Sequence, residues 1–122
     1  MPPIGVGRII WAVYPGVRGK GKHRPMVVMT NRNDIASTGE AFVVVCSTDF
    51  ADPIKPDEVL LPWQADSKCV TKLFEPTVAV CNWTDVVSVA NISSQDVGGL
   101  VPTDLVKAIC AKIGHPFQSD RG

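Results

Sequence analysis

No acidic residue occurs in the first 33 positions, which carry six cations: Arg8, Arg18, Lys20, Lys22, Arg24 and Arg32. The remaining six cations and all 12 acids follow, so a chain of zero formal charge is basic at one end and acidic at the other. Such an asymmetry points towards nucleic-acid contact, although a basic segment is not yet a basic surface. The four cysteines, Cys46, Cys69, Cys81 and Cys110, form no CxxC pair and no zinc-ligand spacing. Cys46, Cys81 and Cys110 stand in apolar runs, where a free thiol behaves as a small hydrophobe, and reduced thiols fit a cytoplasmic protein. No secretory core opens the chain and no apolar run approaches ~18 residues, so neither export nor a membrane span is expected. Asn91-Ile92-Ser93 matches a glycosylation sequon by chance in a chain of this kind. There is no nucleophile elbow, no metal-ligand cluster and no phosphate-cradling glycine signature. With only His23 and His115 available, a Ser/His/Asp hydrolase is hard to assemble.

What is present begins with Lys22-His23-Arg24-Pro25-Met26-Val27-Val28-Met29-Thr30. A Gly-spaced loop, residues 17–24, sets four cations and an imidazole ahead of an apolar strand. Pro25 cannot donate a ladder hydrogen bond and suits a strand's first residue, which puts Arg24 at the hinge. A guanidinium anchored there presents a planar fork matched to phosphate oxygens. The plainer alternative is a solvated hairpin loop whose Arg pairs locally.

With 122 residues and 45% hydrophobic content, the chain supports one core, hence one domain over 1–122 with a polar tail from about 117. Strands are expected at Arg8–Tyr14, Pro25–Thr30, Ala41–Cys46, Val59–Leu61, Cys69–Leu73 and Thr77–Trp83, with a short last one at Asp85–Val89. Both faces of the first strand are mostly apolar, so both should find cover. Asn31–Glu40 reads as a polar connection without period. Ser93–Gly99 reads as turn-rich, its Gly98-Gly99 pair being costly inside a regular element. A helix opens near Thr103 as N-cap, with Asp104 in its first turn. Leu105, Ile109 and Ile113, with Val106 and Cys110, form its core stripe, and Gly114 and Pro116 end it. The count predicts a mainly β fold: a small, strongly bent antiparallel barrel with a C-terminal helix packed on it.

Arg24 before one strand and Ser47-Thr48 after another can share one rim of such a barrel. A guanidinium and a hydroxyl over one phosphodiester suit a reaction in which RNA's own 2′-OH attacks phosphorus and the protein stabilises the resulting charge. The alternative for Thr48 is a turn hydroxyl capping a backbone N–H.

The order of these pieces resembles the MazF/PemK family of toxin endoribonucleases. The matching parts are Gly7-Arg8-Ile9-Ile10-Trp11, the loop ending Gly21-Lys22-His23-Arg24-Pro25 with its strand, Val43-Val44-Val45-Cys46-Ser47-Thr48, Glu75-Pro76-Thr77-Val78-Ala79-Val80, and Gly99-Leu100-Val101-Pro102-Thr103-Asp104-Leu105. The Arg-Pro strand is the most specific of them. The resemblance implies an SH3-like barrel and a homodimer whose groove takes single-stranded RNA. It also implies metal-independent cleavage without a cofactor, and a cognate antitoxin protein as partner. Carried over, Arg24 and Thr48 serve the cleavage step. Arg18, Lys20, Lys22 and His23 would hold the RNA backbone, with His23 as a proton shuttle. Ser47 and Asn82 join the nucleic-acid contacts, and Trp83 is either a base contact or core. Departures are Gly19-Lys20 for a Glu-Gln pair of many members, Cys46-Ser47 for a Pro-containing pair, and Val80 and Asn82 for the Arg and Asp of some. Asn82 can hydrogen-bond but cannot act as a carboxylate base. Two alternatives follow: a non-catalytic nucleic-acid-binding module, or a gyrase-directed DNA-associated toxin of the CcdB type. The Trp-Gly-Ile ending of the latter is replaced here by Gln118-Ser119-Asp120-Arg121-Gly122.

Overall fold

The computed structural model describes residues 3–15 and 21–120. Among the described residues six strands form one antiparallel sheet: β1 (Arg8–Pro15), β2 (Gly21–Val28), β3 (Glu40–Ser47), β4 (Glu58–Leu61), β5 (Thr77–Ser88) and β6 (Val97–Leu100). Their order across the sheet is β4-β5-β3-β2-β1-β6, and the sheet curls into a half-barrel. Helix α1 (Arg32–Thr38) joins β2 to β3, and α2 (Thr103–Ile113) follows β6. The fold is mainly β with a C-terminal helix, as the sequence leads one to expect.

Successive residues divide between two cores because strand side chains alternate in direction. Ile9, Val27, Val44, Cys46 and Ala79 pack with Val106, Ile109 and Cys110 of α2. Ile10, Met26, Val28, Val43 and Val45 pack on the other face with Ile4, Ile35 and Ile92. The unbroken apolar runs of β1, β2 and β3 are therefore the mark of a sheet covered on both sides.

Several local expectations change. β2 starts at Gly21, so Pro25 lies mid-strand opposite Trp11, and Arg24 is a strand residue opposite Ala12 rather than a hinge. Proline is accommodated there because β2 pairs with β3 only over Met26–Val28, which leaves an edge at Pro25. The polar connection holds α1, capped by the Asn31 side chain, which accepts from Asp34 N at 2.8 Å, and closed by left-handed Gly39. Only Ile35 of α1 is buried, so the helix leaves no apolar period. Thr77–Trp83 and Asp85–Val89 are one strand, β5, ending at Ser88. Cys69–Leu73 forms a turn instead of a strand. Its carbonyls meet β6: Leu100 N donates to Val70 O at 2.8 Å and Gly99 N to Thr71 O at 3.1 Å. That approach explains why Gly98-Gly99 lies in a strand, since a Cβ on Gly99 would run into the Val70 carbonyl. The N-cap of α2 is Pro102, whose carbonyl accepts from Leu105 and Val106, and Thr103 is its first residue. Gly114 ends the helix in the left-handed region.

Candidate functional site

Register decides where Arg24 and Thr48 emerge. Met26 of β2 pairs with Val45 of β3 in antiparallel sense. Arg24, two residues before Met26, and Thr48, three after Val45, therefore leave the same end of that strand pair. On the other side of β3 the ladder to β5 is irregular: Val44 faces Thr84, but Cys46 faces Ala79. Val80, Cys81, Asn82 and Trp83 are thus accommodated against Val45 alone. A bulge of this kind bends a strand and re-aims its side chains. Val80 and Cys81 turn into the core, whereas Asn82 and Trp83 are exposed.

Trp83, 37% exposed, reaches towards β2, and the Arg24 guanidinium carbon lies 5.6 Å from its ring centroid. A cation over an indole face is attracted by the ring quadrupole, and the ring limits where the guanidinium can swing. The N–H edge of a guanidinium stacked by its face remains available to an oxyanion. Below it, a cavity of about 140 Å³ is lined by Ser47, Asp49, Lys55, Glu58, Asn82 and Trp83, among others. Arg24, Trp83, Asn82 and Ser47 are in this way gathered from three strands.

Ser47 is only 5% exposed, and its hydroxyl accepts from Asp49 N at 3.1 Å and donates to Asp49 O at 3.2 Å. The turn-capping role considered for Thr48 thus belongs to Ser47. Thr48 is exposed, and its hydroxyl has no hydrogen bond among the described residues. His23 is exposed opposite Val13, its Nε2 3.5 Å from Asp96 Oδ1 and its ring 5.9 Å from that of Trp11. Trp11 in turn stacks on Phe74 at 6.4 Å. Lys22 lies in β2 opposite Tyr14, with its side chain outside what is described; Arg18 and Lys20 fall outside the described residues altogether. Burial pushes the Cys81 thiol up to about 11 and raises Cys46 and Cys110 too, which disfavours thiolates in the core. Among the described residues no three His, Cys, Asp or Glu side chains converge in a metal-holding group.

Trp11, Asp85 and Asp96 were not singled out by sequence pattern. Asp85 alone gave a signal, being an acid within a β-branched strand, where Asp is depleted.

With this geometry in place, likeness to known structures becomes informative. A MazF from Deinococcus radiodurans superimposes with a TM-score of 0.70 at 17% identity, covering 93% of this chain and 96% of that one. The chain has the fold of the MazF/PemK-like toxins. A MazE–MazF complex from the same organism gives a TM-score of 0.67 at 18% identity, over 92% of this chain and 94% of that one. A mycobacterial endoribonuclease in complex with its cognate antitoxin gives 0.61 at 14% identity, over 97% of this chain and 100% of that one. No protein-family model matches the sequence, and no curated protein matches it. At such identities the MazF-like likeness is one of fold, and the chemistry rests on the residues. No helix among the described residues is long and apolar enough to cross a membrane.

Proposed function

We propose that this chain is the toxin of a type II toxin–antitoxin pair and cleaves single-stranded RNA. The observation that carries the reading is the Arg24 guanidinium carbon 5.6 Å from the Trp83 ring centroid, at the end of the β2–β3 pair from which the chain runs on through Ser47 to Thr48. In this mechanism the 2′-OH attacks the adjacent phosphorus and loses its proton. The new O2′–P bond forms as the P–O5′ bond breaks, and O5′ takes up a proton. The products are a 2′,3′-cyclic phosphate and a 5′-hydroxyl.

Arg24 stabilises the extra charge on the phosphoryl oxygens, the largest contribution a fixed cation makes to such a reaction. The Thr48 hydroxyl donates to a non-bridging oxygen. His23 is the nearest imidazole along β2 and moves a proton, directly or through water. Lys22, with Arg18 and Lys20, holds the backbone, and Asn82 offers an amide to a base. Ser47 is assigned to the turn that positions Thr48. The protein works in the cytoplasm as a homodimer, with an antitoxin covering the RNA groove. The MazF-like solved complexes support that partner by analogy of fold.

Incubating the pure protein with single-stranded RNA in EDTA tests the reading. Cleavage to cyclic-phosphate ends is the expected outcome, and a requirement for added metal would overturn the route. A second reading, a binding module without catalysis, is favoured by Asn82, which places an amide where a carboxylate base would be needed. It predicts salt-dependent RNA binding and intact RNA at any protein concentration.

A further inference from the structure

Beside the Arg24 site lies an open cavity of about 470 Å³, lined by Trp11, His23, Asp85, Ser88, Asn91 and Asp96, among others. Both of its walls adjoin that site. Ala12 in its lining is the register partner of Arg24, and Asp85 is two residues along β5 from Trp83. The volume is within the range of about 300–1,000 Å³ that small-molecule sites occupy. Among the described residues its ionisable lining is two carboxylates, Asp85 and Asp96, and one imidazole, His23. A phosphate group entering here would meet negative charge at close range, whereas Arg24 next door offers the opposite. The two carboxylates therefore favour a nucleotide with its base in the cavity and its phosphate outside, towards Arg24.

We propose that the cavity receives one base of the bound strand and selects those carrying amino donors, guanine first, against uracil. The proposal rests on the reading that Arg24 holds an RNA phosphate. An ionised carboxylate only accepts hydrogen bonds. Guanine offers adjacent N1–H and N2–H donors, which fit two acceptor oxygens. Adenine and cytosine each offer one amino group beside an acceptor nitrogen. Uracil offers one N–H flanked by carbonyls, and those would face the carboxylate oxygens.

The two acids are differently committed. Asp96 accepts from the Ser93 hydroxyl at 3.0 Å through Oδ2 and faces His23 through Oδ1. Asp85 accepts from Val86 N at 2.8 Å through Oδ1, and its second oxygen has no hydrogen bond among the described residues. Asp85 is thus the principal selector, with Asp96 holding His23 against the opposite wall. Trp11, stacked on Phe74, makes that wall stiff. Contact with an aromatic wall accepts any base, so the choice falls to the carboxylates.

The test uses 2′-O-methyl octamers, which lack the attacking hydroxyl: one all uridine, the other with a single central guanosine. Anisotropy titration of the parent protein should show the guanosine octamer binding about tenfold more tightly. Asp85→Asn, which keeps the oxygen that accepts from Val86, should reduce the ratio to about threefold or less, and Asp96→Asn should reduce it by a smaller factor. Equal binding of the two octamers by the parent, binding of neither, or a ratio that survives both variants would each overturn the proposal. Cleavage of unmodified RNA is scored separately. Cutting without base preference sinks this inference alone, and preference without cutting sinks the catalytic reading alone.

Discussion

The two faces of the sheet are built from the same strands and have different fates. One carries Ile9, Val27, Val44 and Cys46 and packs against α2, whose Ile109 is fully buried. The other carries Ile10, Met26, Val28, Val43 and Val45, and its cover is piecemeal: Ile4 near the amino terminus, Ile35 of α1, and Ile92 after β5. Alternation along β2 puts Arg24 on this second face, two residues beyond Met26, where the apolar cover has run out. There the sheet offers a cation on an indole ring and a cavity lined by carboxylates. A helical cover such as α2 makes the strand residues beneath it structural. An incomplete one leaves room for polar groups held by a rigid backbone, the arrangement a binding or catalytic site requires.

The sharpest way to break that contrast is to injure each face and read both stability and activity. Ile109→Ala empties space under α2 and should cost about 2–5 kcal/mol of unfolding free energy in urea melts. Cleavage per folded molecule should stay at the parental rate. Arg24→Ala on the other face should do the reverse. Losing the cation that meets the transition-state charge is expected to slow single-turnover cleavage about 100- to 1,000-fold. The urea midpoint should move little, by the equivalent of about 0.5 kcal/mol. Thr48→Ala, which removes a hydroxyl unused by the fold, should lower the rate about tenfold, and Thr48→Ser should restore most of it. If Ile109→Ala and Arg24→Ala changed rate and stability together, the division of labour between the faces would be wrong.

How much of this could be read from the sequence follows the same division. Where a residue's neighbours along the chain determine its environment, the pattern was legible. The β-branched run before Ser47 is β3, and the stripe of Leu105, Val106, Ile109 and Cys110 is the buried side of α2. Where distant segments meet, it was not. Gly98-Gly99 reads as a turn locally, yet the backbone of Val70 and Thr71 lies against it and demands residues without side chains. Helix α1 buries one side chain, so nothing in its polarity distinguishes it from a loop. Trp83 is ambiguous by composition, and only the bulge opposite Val45 turns it outward to meet Arg24. The Arg-Pro pair points to the right strand, but a proline reads locally as a strand start, and the edge that accommodates Pro25 mid-strand exists only because the ladder between β2 and β3 stops at Met26 and Val45.

A smaller and gentler probe of the same contrast uses the thiols as reporters. Cys46, Cys81 and Cys110 all belong to the core under α2, and Cys69 lies outside it in the turn that crosses β6. The Thr71 hydroxyl, 3.3 Å from Cys69 Sγ, draws that thiol below its ordinary pKa, whereas burial raises Cys46 furthest, with repulsion from Cys81 adding to it. A lowered pKa means more thiolate at a given pH, and the thiolate is the species that alkylates. At about pH 8, iodoacetamide should therefore modify Cys69 first, and intact-protein mass should stop at a single adduct until the chain is unfolded. In Ile109→Ala the later adducts should appear sooner and fall on Cys46 and Cys110, because local opening of the α2 face exposes them. In Arg24→Ala their timing should match the parent. Equal acceleration by both substitutions would mean that the two faces open as one unit, and that the site's polar rim contributes to closing the core.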